Sequence, residues 1–190
     1  PPIITSAVPA AAATVGENYT HRYTTSGYPF ASQFSVIAGS LPPGLGLNTN
    51  TGVLSGTPVE AGVFDFTVRA CNYVAPCDTQ QASVTVAKGT TTTAITAHTP
   101  DPSIIGFPVI VEFSVTASGV TPTGSVTVGD GEVSCEATVL EASCTLTFTT
   151  IATTTLTATY SGDANLEGST SPGVVPVSYT HLRAHETVLD

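Results

Sequence analysis

Apolar and polar residues alternate in short runs along the whole chain, and Gly, Pro, Asn and Ser interrupt the runs. A period of two puts one set of side chains on each face of a pleated strand, so the pattern predicts strands with one buried and one wet face. The runs recur about every ten residues, the rhythm of a β-sandwich. Candidate strands fall at 3–6, 19–25, 33–38, 45–47, 53–55, 63–71 and 81–87. A break at Ala87-Lys88-Gly89 precedes a second set at 91–97, 108–117, 124–128, 132–139, 142–149, 153–160 and near 173–177. The chain therefore reads as all-β, with two tandem sandwiches at 1–87 and 88–176 and a distinct tail at 177–190.

Residues 41–58, LPPGLGLNTNTGVLSGTP, compress this logic. A Pro-Pro-Gly turn leads to Leu45 and Leu47, Asn-Thr-Asn-Thr-Gly reverses the chain, Val53 and Leu54 form the return strand, and Gly56-Thr57-Pro58 ends it. No group in the segment carries chemistry. In the second sandwich Val109, Val111, Phe113 and Val115 form a core face, continued by Leu156, Ala158 and Tyr160. The chain has no Trp, so Phe34 and Phe113 are the expected large core rings.

Cys71, Cys77, Cys135 and Cys144 fall as two local pairs. In an antiparallel hairpin opposed residues keep a constant index sum. Pairing Cys71 with Cys77 sets Phe66 opposite Ala82 and Phe64 opposite Val84, apolar against apolar, so disulfide and core demand one register. The same construction on Cys135 and Cys144 sets Ala137 against Ala142 and Val133 against Leu146. Two cross-hairpin disulfides are therefore expected, which places the chain in an oxidising compartment, secreted or attached to a cell surface. Neither pair has the CxxC spacing of a zinc site.

Composition narrows the partners. Charged residues make up 9% of the chain against roughly 25% in an average domain. Four Lys and Arg face fourteen Asp and Glu, a net charge of −10, and 89–176 contains no Lys or Arg at all. Nucleic acid, which needs clustered cations, is not an expected partner. No apolar run approaches the ~20 residues of a membrane-spanning helix. The opening on Pro1-Pro2 reads as an internal piece of a longer polypeptide, whose neighbouring domains are the expected partners of a monomeric fragment.

With 41–58, Ala61-Gly62-Val63-Phe64-Asp65-Phe66-Thr67-Val68, Val15-Gly16 and the strand from Tyr19, the first sandwich resembles the Ig-like domains repeated in large bacterial surface and secreted proteins. These are relatives of the cadherin-like domain of dystroglycan. Members commonly carry Trp where Phe34 stands. The second sandwich resembles the group 3 bacterial Ig-like repeats, through Thr91-Thr92-Thr93, Asp101-Pro102-Ser103, Pro122-Thr123-Gly124-Ser125-Val126, the two later cysteines and Ala158-Thr159-Tyr160-Ser161-Gly162-Asp163-Ala164-Asn165. The resemblance implies Greek-key Ig-like sandwiches of about seven strands each. Their implied function is that of a non-catalytic spacer or stalk in a secreted or surface-attached bacterial protein, with no catalytic residues to transfer.

The tail departs from the rest. Residues 177–187, VSYTHLRAHET, resemble the conceptual translation of a transposase adapter used in DNA library preparation. The resemblance implies that they are foreign to the protein, so His181, Arg183, His185, Glu186 and Asp190 are not site candidates. Alternation through Val175, Val177 and Tyr179 would still let them finish the last strand by register.

An enzyme is not expected. GxSxG and HExxH are absent, and His21 and His98 fall in different sandwiches, His21 as an outward strand residue and His98 at a strand end. No cofactor is expected. Calcium would need six to eight oxygen donors. The junction at 86–93 supplies Lys88 and no acid, and Asp130, Glu132, Glu136, Asp163 and Glu167 read as turn acids. The second function class is an adhesin-type module contacting a glycan or a surface protein. Its candidate residues are Tyr28 and Phe30, in a loop at one pole of the first sandwich.

Overall fold

The computed structural model describes residues 1–31, 33–149, 155–175 and 178–179, and the regular elements among them are all strands. Two compact units divide the chain. One comprises Pro1–Thr90 with Ala117–Thr121 and Ala164–Glu167, the other Thr91–Thr116, Pro122–Asp163 and the residues from Gly168 onward.

The first unit holds β1 (Ile3–Ile4), β2 (Ala12–Thr14), β3 (Tyr19–Arg22), β4 (Thr25–Ser26), β5 (Gln33–Gly39), β6 (Leu45–Leu47), β7 (Val53–Gly56), β8 (Gly62–Cys71) and β9 (Asp78–Ala87). One sheet runs β2-β9-β8-β5, a second β3-β7-β6, and β1 pairs with β4. Strand β2 lies parallel to β9, with Ala12 opposite Thr85. The two sheets bury Phe34, Phe66, Val68, Ala70, Ala82, Val84 and Val86 on one side and Tyr19 and Leu54 on the other, with Tyr23 between. The β8–β9 register is the one the cysteines demanded. Phe64 faces Val84, Phe66 faces Ala82, and a Cys71–Cys77 disulfide with Cα atoms 4.5 Å apart closes the hairpin end.

Each turn device in 41–58 has a visible cause. The Asn48 side chain accepts hydrogen bonds from Asn50 N and Thr51 N, both at 3.0 Å, which is how Asn reverses a chain locally. Gly44 and Gly56 sit where β6 meets β7, so close that a Cβ on Gly56 would fall 2.1 Å from the Gly44 oxygen. Gly52, at φ +69°, lies under the Phe34 ring, which would be 2.8 Å from any Cβ added there. The segment is written for backbone contact and for seating one ring.

The second unit holds β10 (Thr91–Thr99), β11 (Ser103–Ile104), β12 (Pro108–Ala117), β13 (Ser125–Gly129), β14 (Ser134–Thr138), β15 (Ser143–Thr147), β16 (Thr157–Tyr160), β17 (Ser169–Thr170) and β18 (Ser178–Tyr179). Its sheets run β10-β12-β15 and β14-β13-β16-β17, and β11 pairs with β18. Val109, Val111, Phe113 and Val115 are buried against Val126, Val128, Leu156, Ala158 and Tyr160.

Here the expected hairpin register is wrong, although the disulfide forms. Strand β14 takes its partner from β13, with Val128 opposite Cys135 and Val126 opposite Ala137. Strand β15 pairs instead with β12, with Val111 opposite Cys144 and Val109 opposite Leu146. The Cys135–Cys144 bridge, Cα atoms 5.9 Å apart, therefore joins the edges of two different sheets. Inward parity is the same in a hairpin and in an arch between sheets, so alternation could not distinguish them. What sets the arch is the turn. Thr138 N and Oγ1 donate to Glu141 Oε2 at 2.7 and 2.8 Å, Ala142 N returns to Thr138 O, and Ala142 takes φ +56°. These bonds hold the exposed Glu141 carboxyl below its usual pKa, the Thr138 backbone contributing most.

The opposite edge is tied by hydroxyls. Thr91 Oγ1 donates to Ser169 Oγ at 2.7 Å, and Thr93 Oγ1 lies 2.7 Å from the same atom, linking β10 to β17. Tyr160 locks a loop from inside, donating its hydroxyl to Thr123 O at 2.6 Å, while Asp163 accepts from Thr123 N and Oγ1 at 3.0 and 2.8 Å. Burial first, and the Asp163 charge second, push the Tyr160 phenol up to about 12.

Strands β2, β11 and β17 were not anticipated. Of the last expected strand, Val174 bridges antiparallel to Leu156, and residues 176–177 lie outside the described residues. Residues 150–154, which include the start of the strand expected at 153–160, also lie outside them. Within the tail Ser178–Tyr179 runs parallel to β11, and 177 and 180–190, with His181, Arg183, His185, Glu186 and Asp190, lie outside the described residues.

Candidate functional site

The two loop residues singled out from sequence are open to solvent, Tyr28 at 89% and Phe30 at 68% exposure. A third ring joins them. Tyr73, 94% exposed, sits in the loop that the Cys71–Cys77 disulfide closes. The loops are tied together, because Asn72 Nδ2 donates to the carbonyl of Pro29, the residue between Tyr28 and Phe30. Asn72 Oδ1 accepts from Val74 N at 2.8 Å, so that side chain is spent on holding the loop. Sequence reasoning passed over Tyr73. Its signal was a Tyr between two cysteines, in a loop too short to bury a ring.

Two clefts of about 350 Å³ each lie on the same unit, one lined by Tyr73 and the other by Ala31, the residue after Phe30. Gln33, Asn50, Cys71, Asn72 and Tyr73 line one. Asn50 also lines the other, with Arg22, Thr24, Thr25 and Thr51 among its neighbours, so one carboxamide stands between them. The surface offers aromatic faces, amides and hydroxyls. Among the described residues lining the two clefts, Arg22 is the charged group, and none forms a nucleophile–base pair.

His21 does not face outward. Tyr19, His21 and Tyr23 share one parity of β3 and its extension and point inward, while Thr20, Arg22 and Thr24 take the solvent side. The His21 and Tyr23 rings meet edge-on with centroids 4.8 Å apart, and His21 Nε2 and the Tyr23 hydroxyl are buried without a hydrogen bond to any described residue. Burial lowers the His21 pKa from its usual 6.5 and raises the Tyr23 phenol, with Tyr19 adding to the latter. His98 lies at the end of β10 as expected, one residue before its last, with Nε2 4.0 Å from Asp101 Oδ2.

The depressed His21 pKa carries a sign. Above pH 6.5 folded and unfolded chains are both neutral there, and the group contributes nothing to the pH dependence. Below it the unfolded chain binds a proton that the folded one resists, so stability falls on acidification until the folded pKa is reached. Urea midpoints measured from pH 7.5 to 5.5 should therefore drop, and His21→Gln should flatten the slope. An unchanged slope in the variant would contradict the buried placement. Glu141 acts in a lower window, below about 4.5, where protonation removes its bonds to Thr138.

The acids do not converge. Asp130 Oδ1 caps its own turn through Glu132 N and Val133 N, each at 2.9 Å, and Asp163 is engaged with Thr123. Among the described residues no group of three or more His, Cys, Asp or Glu side chains is placed to hold a metal ion.

Two all-β units, each with its own disulfide and a loop pole on the first, define the Ig-like class of modules. Residues 1–96 match the family described as "Putative Ig domain", and the chain belongs to that family. No curated protein matches it. Among solved structures it is similar to a "putative alpha-galactosidase" of Bacteroides fragilis, at 26% identity and TM-score 0.40, covering 45% of this chain and 17% of that one. It is also similar to fibronectin(III)-like modules of Clostridium thermocellum CbhA, at 13% identity and TM-score 0.40, covering 97% and 100%. Five Ig domains of Sidekick-1 align at 15% identity and TM-score 0.42, covering 95% of this chain and 40% of theirs. The chain spans less than a fifth of the length of the galactosidase, 17%.

Proposed function

We propose that the chain is a non-catalytic structural module, a disulfide-stapled spacer within a larger secreted or surface-attached bacterial protein. The observation that carries this reading is one disulfide inside each of the two β units, Cys71–Cys77 in the first and Cys135–Cys144 in the second. Such bridges persist in oxidising compartments, where small domains use them to supplement a limited hydrophobic core. Membership of an Ig-like family agrees with a structural or adhesive role.

Pulling the oxidised chain by its ends tests the reading. A spacer should unfold in two force-resisting steps, one per unit. With cysteines separated by 6 and 9 positions and bridged Cα atoms 4.5 and 5.9 Å apart, reduction should lengthen the steps by about 16 Å and about 25 Å. Extension without a force peak would refute it.

A further inference from the structure

Load bearing does not account for the pole of the first unit. Three of the four strongly exposed aromatic rings among the described residues, Tyr28, Phe30 and Tyr73, lie on the two loops joined through Asn72 and Pro29. Leaving each ring in water forgoes about 1.5–3 kcal/mol of burial, and the surrounding sandwich does bury Tyr19, Tyr23, Phe34 and Phe66.

We propose that this pole binds a neutral oligosaccharide, with Tyr28, Phe30 and Tyr73 supplying stacking faces and the Gln33 and Asn50 carboxamides reading ring hydroxyls. The chemistry selects the ligand. A carboxamide offers two donors and an acceptor, and a sugar hydroxyl both donates and accepts, so each matches the other without charge. The CH face of a pyranose is apolar and flat, as an exposed ring requires. The Gln33 and Asn50 carboxamides make no hydrogen bond to any described residue, whereas the Asn72 amide is consumed in positioning the loop. Among the described residues, Arg22 is the one charged side chain lining either cleft. A chain of net charge −10 repels polyanions, which sets nucleic acid and sulfated polymers apart from the ligand proposed. Two small clefts that share Asn50 offer successive polar contacts to a linear chain of sugar rings, at a scale far below the area a protein partner covers.

The inference goes beyond the spacer reading, and the two fail separately, because losing the rings leaves the resistance to force untouched. The test screens the full chain against immobilised neutral glucan, galactan, xylan and mannan oligosaccharides, with sialylated and sulfated glycans beside them. Calorimetric titration of any neutral glycan that binds follows. Saturable binding of a neutral glycan is expected, weakened at least tenfold by Tyr28→Ala or Tyr73→Ala and by Gln33→Ala with Asn50→Ala. Tyr73→Phe should retain it, and Leu140→Ala, an exposed position in the second unit, should leave it unchanged. All these side chains are exposed, so the variants should melt with the parent. The proposal is overturned if no neutral glycan binds saturably up to about 10 mM. It is equally overturned by binding that survives Tyr28→Ala with Tyr73→Ala, by a preference for charged glycans, or by sedimentation showing that the rings mediate pairing of two copies.

Discussion

Replacing Phe34 with alanine should cost the first unit about 3–5 kcal/mol. The ring is 4% exposed and covers Gly52, which has no side chain to fill the space it would leave. Its backbone is committed as well, Phe34 N donating to Thr49 O at 2.7 Å, so the strand cannot slide to repair the hole. A loss of that size is a large part of the ~5–15 kcal/mol net stability of a domain. The urea midpoint followed by circular dichroism reads the effect, and Phe34→Leu should retain a substantial part of it. Gly52→Ala probes the same contact from the other side, adding a clash with the ring to an unfavourable φ of +69°. A loss of less than about 1 kcal/mol in Phe34→Ala would show that the ring is not a core element.

Cys135→Ser with Cys144→Ser should cost the second unit about 2–4 kcal/mol. Chain entropy accounts for about 2–3 kcal/mol of it, since the bridge closes only a short loop. The rest comes from the bridge's position, because β14 and β15 are edge strands of different sheets and share no backbone ladder. Cys71→Ser with Cys77→Ser should stay near the entropic figure, because β8 and β9 are already paired from Gly62–Val86 to Ala70–Asp78. Denaturation of both variants beside the parent gives the comparison. Thiol titration of the unfolded, oxidised parent should find no reactive cysteine. Equal losses for the two bridges would argue against the inter-sheet placement.

Much of this molecule could be read from alternation. The Val109, Val111, Phe113 and Val115 face, the 41–58 turn and the β8–β9 register follow from period two combined with turn chemistry, both local properties. Pairing between β14 and β15 was misread because parity reports which way a side chain points, and says nothing of which sheet its strand joins. Strands β2, β11 and β17 are two or three residues long and are defined by a neighbour's free edge. His21 was turned the wrong way because its polarity was weighed above the parity it shares with Tyr19 and Tyr23. At the pole, Tyr28 and Phe30 stood out as apolar residues in a loop. Tyr73 and the amides became neighbours only through the Asn72–Pro29 contact between distant loops, which no short-range pattern encodes.

The arch between β14 and β15 also bears on how copies of this module behave when crowded together. Tandem and surface-dense β domains exchange strands when a connection opens and lets an arm dock on another copy. The turn from Thr138 to Ala142 would be the natural hinge for releasing the part of the second unit that follows it. A covalent bond spanning that turn from Cys135 to Cys144 keeps both sides of the hinge on the same molecule. Oxidation therefore does more than stabilise the fold, since it removes one route by which neighbouring copies would become entangled.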